Sequence, residues 1–222
     1  TNNELYRSYD ISKGWEKISF GENVNQQVLV IYVTPREPET IWVGTATNGV
    51  LVSKDAGKTW TKVQGGPNGI PDGVPVSAIA ENPKKKGWMY VGTTQTFYVS
   101  KDGGKSWTRR GGNLPLGNYA SILVNPNDGD EVYVASALDV SDGIFYSDNA
   151  GWDWKRIDPK DRNVASSRVW TMMFDPMNPN RLFVGTHSSG IYRVDQIDKA
   201  EKKETSDDPA TMTRPRISAV AN

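Results

Sequence analysis

The chain is 222 residues long and carries 26 basic and 26 acidic side chains, so its net charge is zero. That balance gives no global attraction for nucleic acid or an anionic membrane, and no apolar stretch approaches the ~20 residues a membrane helix needs. Cysteine is absent, which excludes disulfides and thiolate metal sites.

Hydrophobic residues make up 36% of the chain and the mean hydropathy is −0.58. Such polarity suits short strands with one wet face better than buried helices. Eight Trp, nine Tyr and five Phe supply large buried areas per residue, and 21 Gly with 13 Pro make turns frequent. No segment keeps a 3.6-residue apolar period for three turns.

In chain order, β-rich segments at 5–8 and 16–19 come first. Three complete units follow, over about 28–63, 76–110 and 120–157. Each opens with a strand (28–34, 76–80, 120–124) that runs into a proline turn at Pro35, Pro83 or Pro126. A second strand follows at 41–45, 87–93 and 132–136, then a third at 49–52, 97–100 and 143–146. A short fourth strand closes each unit, as at 108–110. The last unit shows three strands, at 169–174, 182–186 and 190–193. The charged stretch 195–222 reads as a linker and tail, with one late strand at 216–220. The run Lys84, Lys85 and Lys86 reads as a solvated turn.

One turn recurs between the third and fourth strands. Its positions are Ser53, Asp55, Gly57 and Trp60; Ser100, Asp102, Gly104 and Trp107; Ser147, Asn149, Gly151 and Trp154. A worn copy holds Ser8, Asp10, Ser12 and Trp15, and the four tryptophans stand 45, 47 and 47 residues apart. A fixed period of this size marks a repeat architecture. Short acceptors such as Ser and Asp bind backbone N–H groups within a turn, Gly takes a positive φ at no steric cost, and Trp can fill the seam between sheets. Asn149 keeps an acceptor oxygen, so its turn is expected to survive. These positions therefore read as structural.

A four-stranded antiparallel sheet has two faces to cover, and stacking copies around an axis covers both. The expected fold is all-β, a β-propeller of four-stranded antiparallel blades, with three complete blades and partial blades at both ends. Over residues 5–194 the motif resembles the Asp-box repeat of bacterial neuraminidases, and the chain resembles Asp-box propellers. That superfamily includes sialidases, xyloglucanase-type glycoside hydrolases, sortilin-like receptors and a photosystem II assembly propeller. The resemblance implies a fold and leaves hydrolase, receptor and assembly roles open.

Propellers of this kind usually carry six to eight blades. The two ends together supply about one more blade, so the chain is expected to be part of a larger ring, or to be completed by another chain or copy. It opens on Thr1 rather than Met, which leaves room for further N-terminal residues or a leader.

Ligands of propellers mainly meet the loops between units, here 64–75, 111–118 and 158–168, and those between second and third strands, of which 137–142 is long. The polar and aromatic candidates there are Tyr119, Asp139, Asp142, Arg168, Trp170 and His187. An aromatic ring beside a carboxylate can hold a sugar by stacking and hydrogen bonding, and exposed loop tips are polar by default. Glycosidases commonly need two facing carboxylates. Sialidases further require an arginine triad, a Tyr–Glu nucleophile pair and an N-terminal Arg-Ile-Pro motif, none of which is recognisable here. His187 is the single histidine and, with no ligand cluster beside it, reads as a loop residue.

These readings favour a non-catalytic scaffold for protein binding or assembly, without metal or cofactor, secreted, periplasmic or at the cell surface. The alternative is a glycoside hydrolase or carbohydrate-binding propeller with catalytic residues partly outside these residues.

Overall fold

The computed structural model describes residues 4–20, 27–63, 69–157 and 168–195. The tail beyond Asp195, with its expected late strand, lies outside the described residues, as do positions 64–68 and 158–167 of two inter-unit loops.

The fold is all-β, and among the described residues there is no α-helix. A two-stranded sheet of β1 (Leu5–Arg7) and β2 (Glu16–Ile18) comes first. The first complete sheet holds β3 (Val28–Val33), β4 (Ile41–Thr45), β5 (Val50–Ser53) and β6 (Thr61–Val63). The second holds β7 (Val76–Glu81), β8 (Met89–Thr93), β9 (Phe97–Ser100) and β10 (Thr108–Arg109). The third holds β11 (Tyr119–Val124), β12 (Val132–Ser136), β13 (Gly143–Ser147) and β14 (Lys155–Arg156). A three-stranded sheet of β15 (Val169–Asp175), β16 (Asn178–Thr186) and β17 (Ile191–Asp195) closes the series. Neighbouring strands pair antiparallel in sequence order within every sheet. The first strands of consecutive sheets lie side by side, β3 with β7, β7 with β11 and β11 with β15.

The second strand of the last sheet starts four residues earlier than the β-forming run suggests. Asp175 pairs in register with Asn178 and accepts the Met177 N–H at 2.8 Å, so a tight hairpin replaces the expected loose turn.

Each first strand carries one extra, unpaired residue near its start: Leu29, Ser77, Ala120 and Trp170. A bulge of this kind increases local twist. Opposite its downstream flank the second strand has a small residue, Gly44, Gly92, Ala135 or Gly185. At Gly44 and Gly92 the next sheet comes close. A Cβ on Gly44 would stand 2.6 Å from Val76 Cγ1, and one on Gly92 would stand 2.4 Å from the Tyr119 carbonyl oxygen.

Among the described residues, four hydrophobic clusters fill the seams between successive sheets. One joins Trp42, Val50 and Val52 to Val76, Ile79 and Trp107. Another joins Ala78, Tyr90 and Phe97 to Tyr119, Ile122 and Trp154. Tryptophans of the recurrent turn thus reach back to the preceding sheet, Trp154 meeting Phe97 edge-on at 5.1 Å and Trp60 meeting Phe20 at 4.9 Å. In the worn copy Trp15 finds no such seat and is 64% exposed.

The two ends do not merge into one blade as they stand. Leu5 pairs with Ile18 in β1–β2 as Val50 pairs with Val63 in β5–β6, so β1 holds a third-strand place. β17 pairs with β16 as β5 pairs with β4, so it holds a third-strand place too. A four-stranded blade has room for one of them.

Candidate functional site

Strand direction sorts the loops onto two sides. On one side the second-to-third-strand loops bond the residues just before the first strands: Ala46 N–H to Gln27 O, Thr94 N–H to Pro75 O, Ala137 N–H to Asn118 O and His187 N–H to Arg168 O, at 2.8–3.0 Å. On the other side the recurrent turn bonds the first-to-second-strand turn, Ala56 N–H to Glu39 O, Gly103 N–H to Gly87 O and Ala150 N–H to Asp130 O. The recurrent turns and the candidate ligand residues therefore lie at opposite ends of the strands.

Within each complete turn the bonding is closed. Ser53 Oγ accepts the Gly57 N–H at 2.7 Å and donates to Asp55 Oδ1 at 2.7 Å. Asp55 accepts the Lys58 and Thr59 N–H groups and, at 2.6 Å, the Thr59 hydroxyl. The Thr59 hydroxyl, helped by backbone N–H donors and Ser53, holds the Asp55 carboxyl well below the usual carboxylate range. Ser100, Asp102, Gly104 and Ser106 repeat the pattern. Ser147, Asn149 and Gly151 do so with an amide in place of the acid. Gly57, Gly104 and Gly151 all have φ near +90°, at 88°, 85° and 90°. Trp60 and Trp154 donate their indole N–H to the carbonyls of Gly57 and Gly151, while Trp107 is buried with its indole N–H unpartnered. The side chains of Asp55 and Asp102 are thus spent on their own turns.

On the other side four of the six candidates come together. Arg168 Nε stands 3.0 Å from Asp139 Oδ1 and donates to the Ala137 carbonyl at 2.9 Å. The Asp139 side chain is 74% exposed. Trp170, the bulge residue of β15, is half-exposed, and its ring centroid lies 6.3 Å from that of the exposed His187. Asp142 turns instead to Arg156, with Oδ1 3.4 Å from a guanidinium nitrogen. Arg156 lies on β14 and was not evident as a site residue, because its partner is 14 residues away across a turn. Tyr119 is fully buried: its hydroxyl donates to the Pro115 carbonyl at 2.5 Å, and burial pushes its phenol up. Its ring has no surface to offer a ligand. The exposed Leu116 and Leu138 join the loop face, linked through Ser141, which donates its hydroxyl to Leu116 O and its N–H to Leu138 O.

Asp139 and Asp142 are therefore each directed to a different arginine. Among the described residues no group of three His, Asp or Glu side chains could hold a metal ion, and no helix is long and apolar enough to cross a membrane.

The sequence matches no family model. Over 60 residues, 27% of the chain, it is 35% identical to a probable oligoxyloglucan-reducing end-specific xyloglucanase of Neosartorya fischeri and 33% identical to the corresponding enzyme of Emericella nidulans. The match spans 7% of either enzyme's length. Among solved structures, the GH74 xyloglucanase of Xanthomonas campestris superposes with a TM-score of 0.70 at 16% identity, over 89% of this chain and 34% of that one. The extracellular domain of a putative hybrid two-component system of B. thetaiotaomicron gives 0.67 at 17%, over 86% and 25%. YCF48 bound to D1 peptide gives 0.61 at 17%, over 87% and 57%. What this chain shares with them is the β-propeller fold; its own described residues form three complete four-stranded blades with a partial one on either side.

Proposed function

We propose that this propeller is a non-catalytic scaffold for protein binding or assembly in an extracytoplasmic protein, and that its recurrent turns are Asp-box repeats. The observation that carries the reading is the engagement of the two loop acids, Asp139 with Arg168 and Asp142 with Arg156. A glycosidase pair faces one bond from two sides, and here each acid faces its own guanidinium. The exposed Trp170, His187, Leu116 and Leu138 around the Arg168–Asp139 pair offer mixed apolar and charged contacts of the kind protein interfaces use. A propeller of this fold bound to a peptide and another that is an extracellular domain support the same reading.

The second reading is a carbohydrate-binding or glycoside hydrolase propeller with catalytic residues partly outside these residues. It is favoured by the 60-residue likeness to xyloglucanases. A panel of fluorogenic glycosides and a glycan array separates the two. The scaffold reading expects no turnover. Turnover abolished by Asp139→Asn or Asp142→Asn would overturn it.

A further inference from the structure

The turn side of the sheets, at the far end of the strands from Asp139 and Arg168, is divided by charge. In the second sheet its two turns, 82–88 and 100–107, hold Lys84, Lys85, Lys86, Lys101 and Lys105 against one acid, Asp102. The Asp102 carboxylate is bonded within its own turn. In the third sheet the matching turns, 125–131 and 147–154, hold Asp128, Asp130, Glu131, Asp148 and Asp153 and no basic residue. The first sheet is balanced, with three of each sign over 34–40 and 53–60. The contrast falls at matched repeat positions: Lys101 stands where the third turn has Asp148, and Lys85 where the third sheet has Asp128. All of these residues are described, and the second and third sheets each have a neighbouring sheet on both sides.

Four of the lysines are exposed, and the acids other than Glu131 are half-buried. Lys85 Nζ and Asp130 Oδ1 meet at 2.5 Å across the seam, so the two halves share a border. Indoles stiffen that border. The Arg110 guanidinium lies 4.0 Å from the centre of the Trp152 ring and 5.6 Å from that of Trp88, while the Lys85 and Lys101 ammonium groups lie 4.4 and 4.6 Å from the Trp88 centre. Lysines held over a ring lose less freedom on binding. On the acidic half the carboxylates act together: burial, then Glu131, Asp148 and Asp128, push the Tyr146 phenol up.

An acidic partner would be repelled by the third sheet, and a basic partner by the second. A partner that satisfies both halves carries both signs side by side, and this face is itself such a surface. We propose that it is a self-association surface, on which a second copy of this chain docks turn side to turn side. A two-fold axis running along the Lys85–Asp130 seam lays Lys84, Lys86 and Lys101 of each copy on Asp128, Asp148 and Asp153 of the other. The contact is isologous, so each charge pairing is made twice. Exposed charges carry it, so it weakens as the screening length falls from ~30 Å at about 0.01 M salt to ~3 Å at about 1 M. The loop side of both copies stays uncovered.

Sedimentation over a dilution series at those two salt concentrations tests this. Twice the 24.6 kDa of one chain is expected at low salt, and the single mass at high salt. Two variants, each reversing one half, locate the contact. Lys86→Glu with Lys101→Asp turns the basic half acidic, and Asp128→Lys with Asp148→Lys turns the acidic half basic. Lys101→Asp, Asp128→Lys and Asp148→Lys each install the residue that the matched position already carries, and far-UV spectra check that the fold is kept. Each variant alone should run as one chain at low salt, and their mixture should pair several-fold more tightly than the unaltered protein. A single-chain mass for the unaltered protein at low salt overturns the proposal. So does a pair that either variant still forms alone, or a mixture of the two that stays at the single mass.

Discussion

Asn149 and Asp153 reverse the polarity of a bond that the other turns make the opposite way. Asn149 Nδ2 donates to Asp153 Oδ2 at 3.2 Å. In the other two turns the first residue is the acid and the second the donor, with Thr59 and Ser106 hydroxyls giving 2.6 Å bonds to Asp55 and Asp102. The backbone contacts are otherwise the same, since Asn149 Oδ1 accepts the Trp152 and Asp153 N–H groups. Donor and acceptor have changed places together.

Asn149→Asp should therefore destabilise the protein by about 1–3 kcal/mol, because it sets two carboxylates against each other in a buried turn. Adding Asp153→Thr should recover most of the loss by restoring the pairing of the other turns. Urea unfolding of the two single variants and the double variant measures the coupling, and additive losses would show that the positions do not interact.

The turns also predict how the protein responds to acid. Hydrogen bonds from Thr59 lower the Asp55 carboxyl, and Asp102 is lowered too: burial opposes the shift, and the bonds from Ser106 and Ser100 outweigh it. A carboxyl lowered in the folded state stabilises the fold above its unfolded value, ~3.9, and that contribution fades as pH falls below it. Melting temperature should drop as pH falls from about 4 to 2, and Asp55→Asn should flatten part of that drop. Asn149 itself, an amide, does not titrate.

Glu81 behaves in the opposite sense. Burial raises its carboxyl despite Arg36 at 3.9 Å. A raised folded value means that ionising Glu81 costs stability at neutral pH, and that the cost disappears as pH falls below the folded value. Glu81→Gln should raise the melting temperature at pH 7 and leave it little changed near pH 4. A lower melting temperature at pH 7 would mean that the Arg36 pair outweighs burial.

Gly92→Ala should cost about 1–3 kcal/mol, since its methyl would meet the Tyr119 carbonyl oxygen, which belongs to the backbone of the next sheet. The matched position in the third sheet is Ala135, which is fully buried, so there the next sheet already accommodates a methyl. Thermal unfolding of Gly92→Ala beside Ala135→Gly tests this, with the larger loss expected at Gly92.

The repeat phase made the strands legible. Val43, Gly44 and Thr45 recur as Val91, Gly92 and Thr93, and every such copy is a second strand. Turn residues were legible for the same reason, because their partners lie within four positions. The loop face was legible only as a region. Whether Asp139 meets Arg168 depends on how two loops from different sheets cross, and local sequence does not encode that distance. Tyr119 looked like a loop residue beside Asn118, yet its ring turns inward toward Phe145, 6.4 Å away, because the strand starts one residue early. The bulges at Leu29, Ser77, Ala120 and Trp170 were hidden as well.

The backward reach of Trp154 onto Phe97 has a consequence for the protein's birth on the ribosome. The second sheet is sealed by a side chain that is made one repeat, 47 residues, after its own Trp107. At every moment of synthesis the newest sheet is therefore unsealed, and the one before it is being closed. Folding is paced along the chain, and a ribosome stalled within a repeat leaves an open seam.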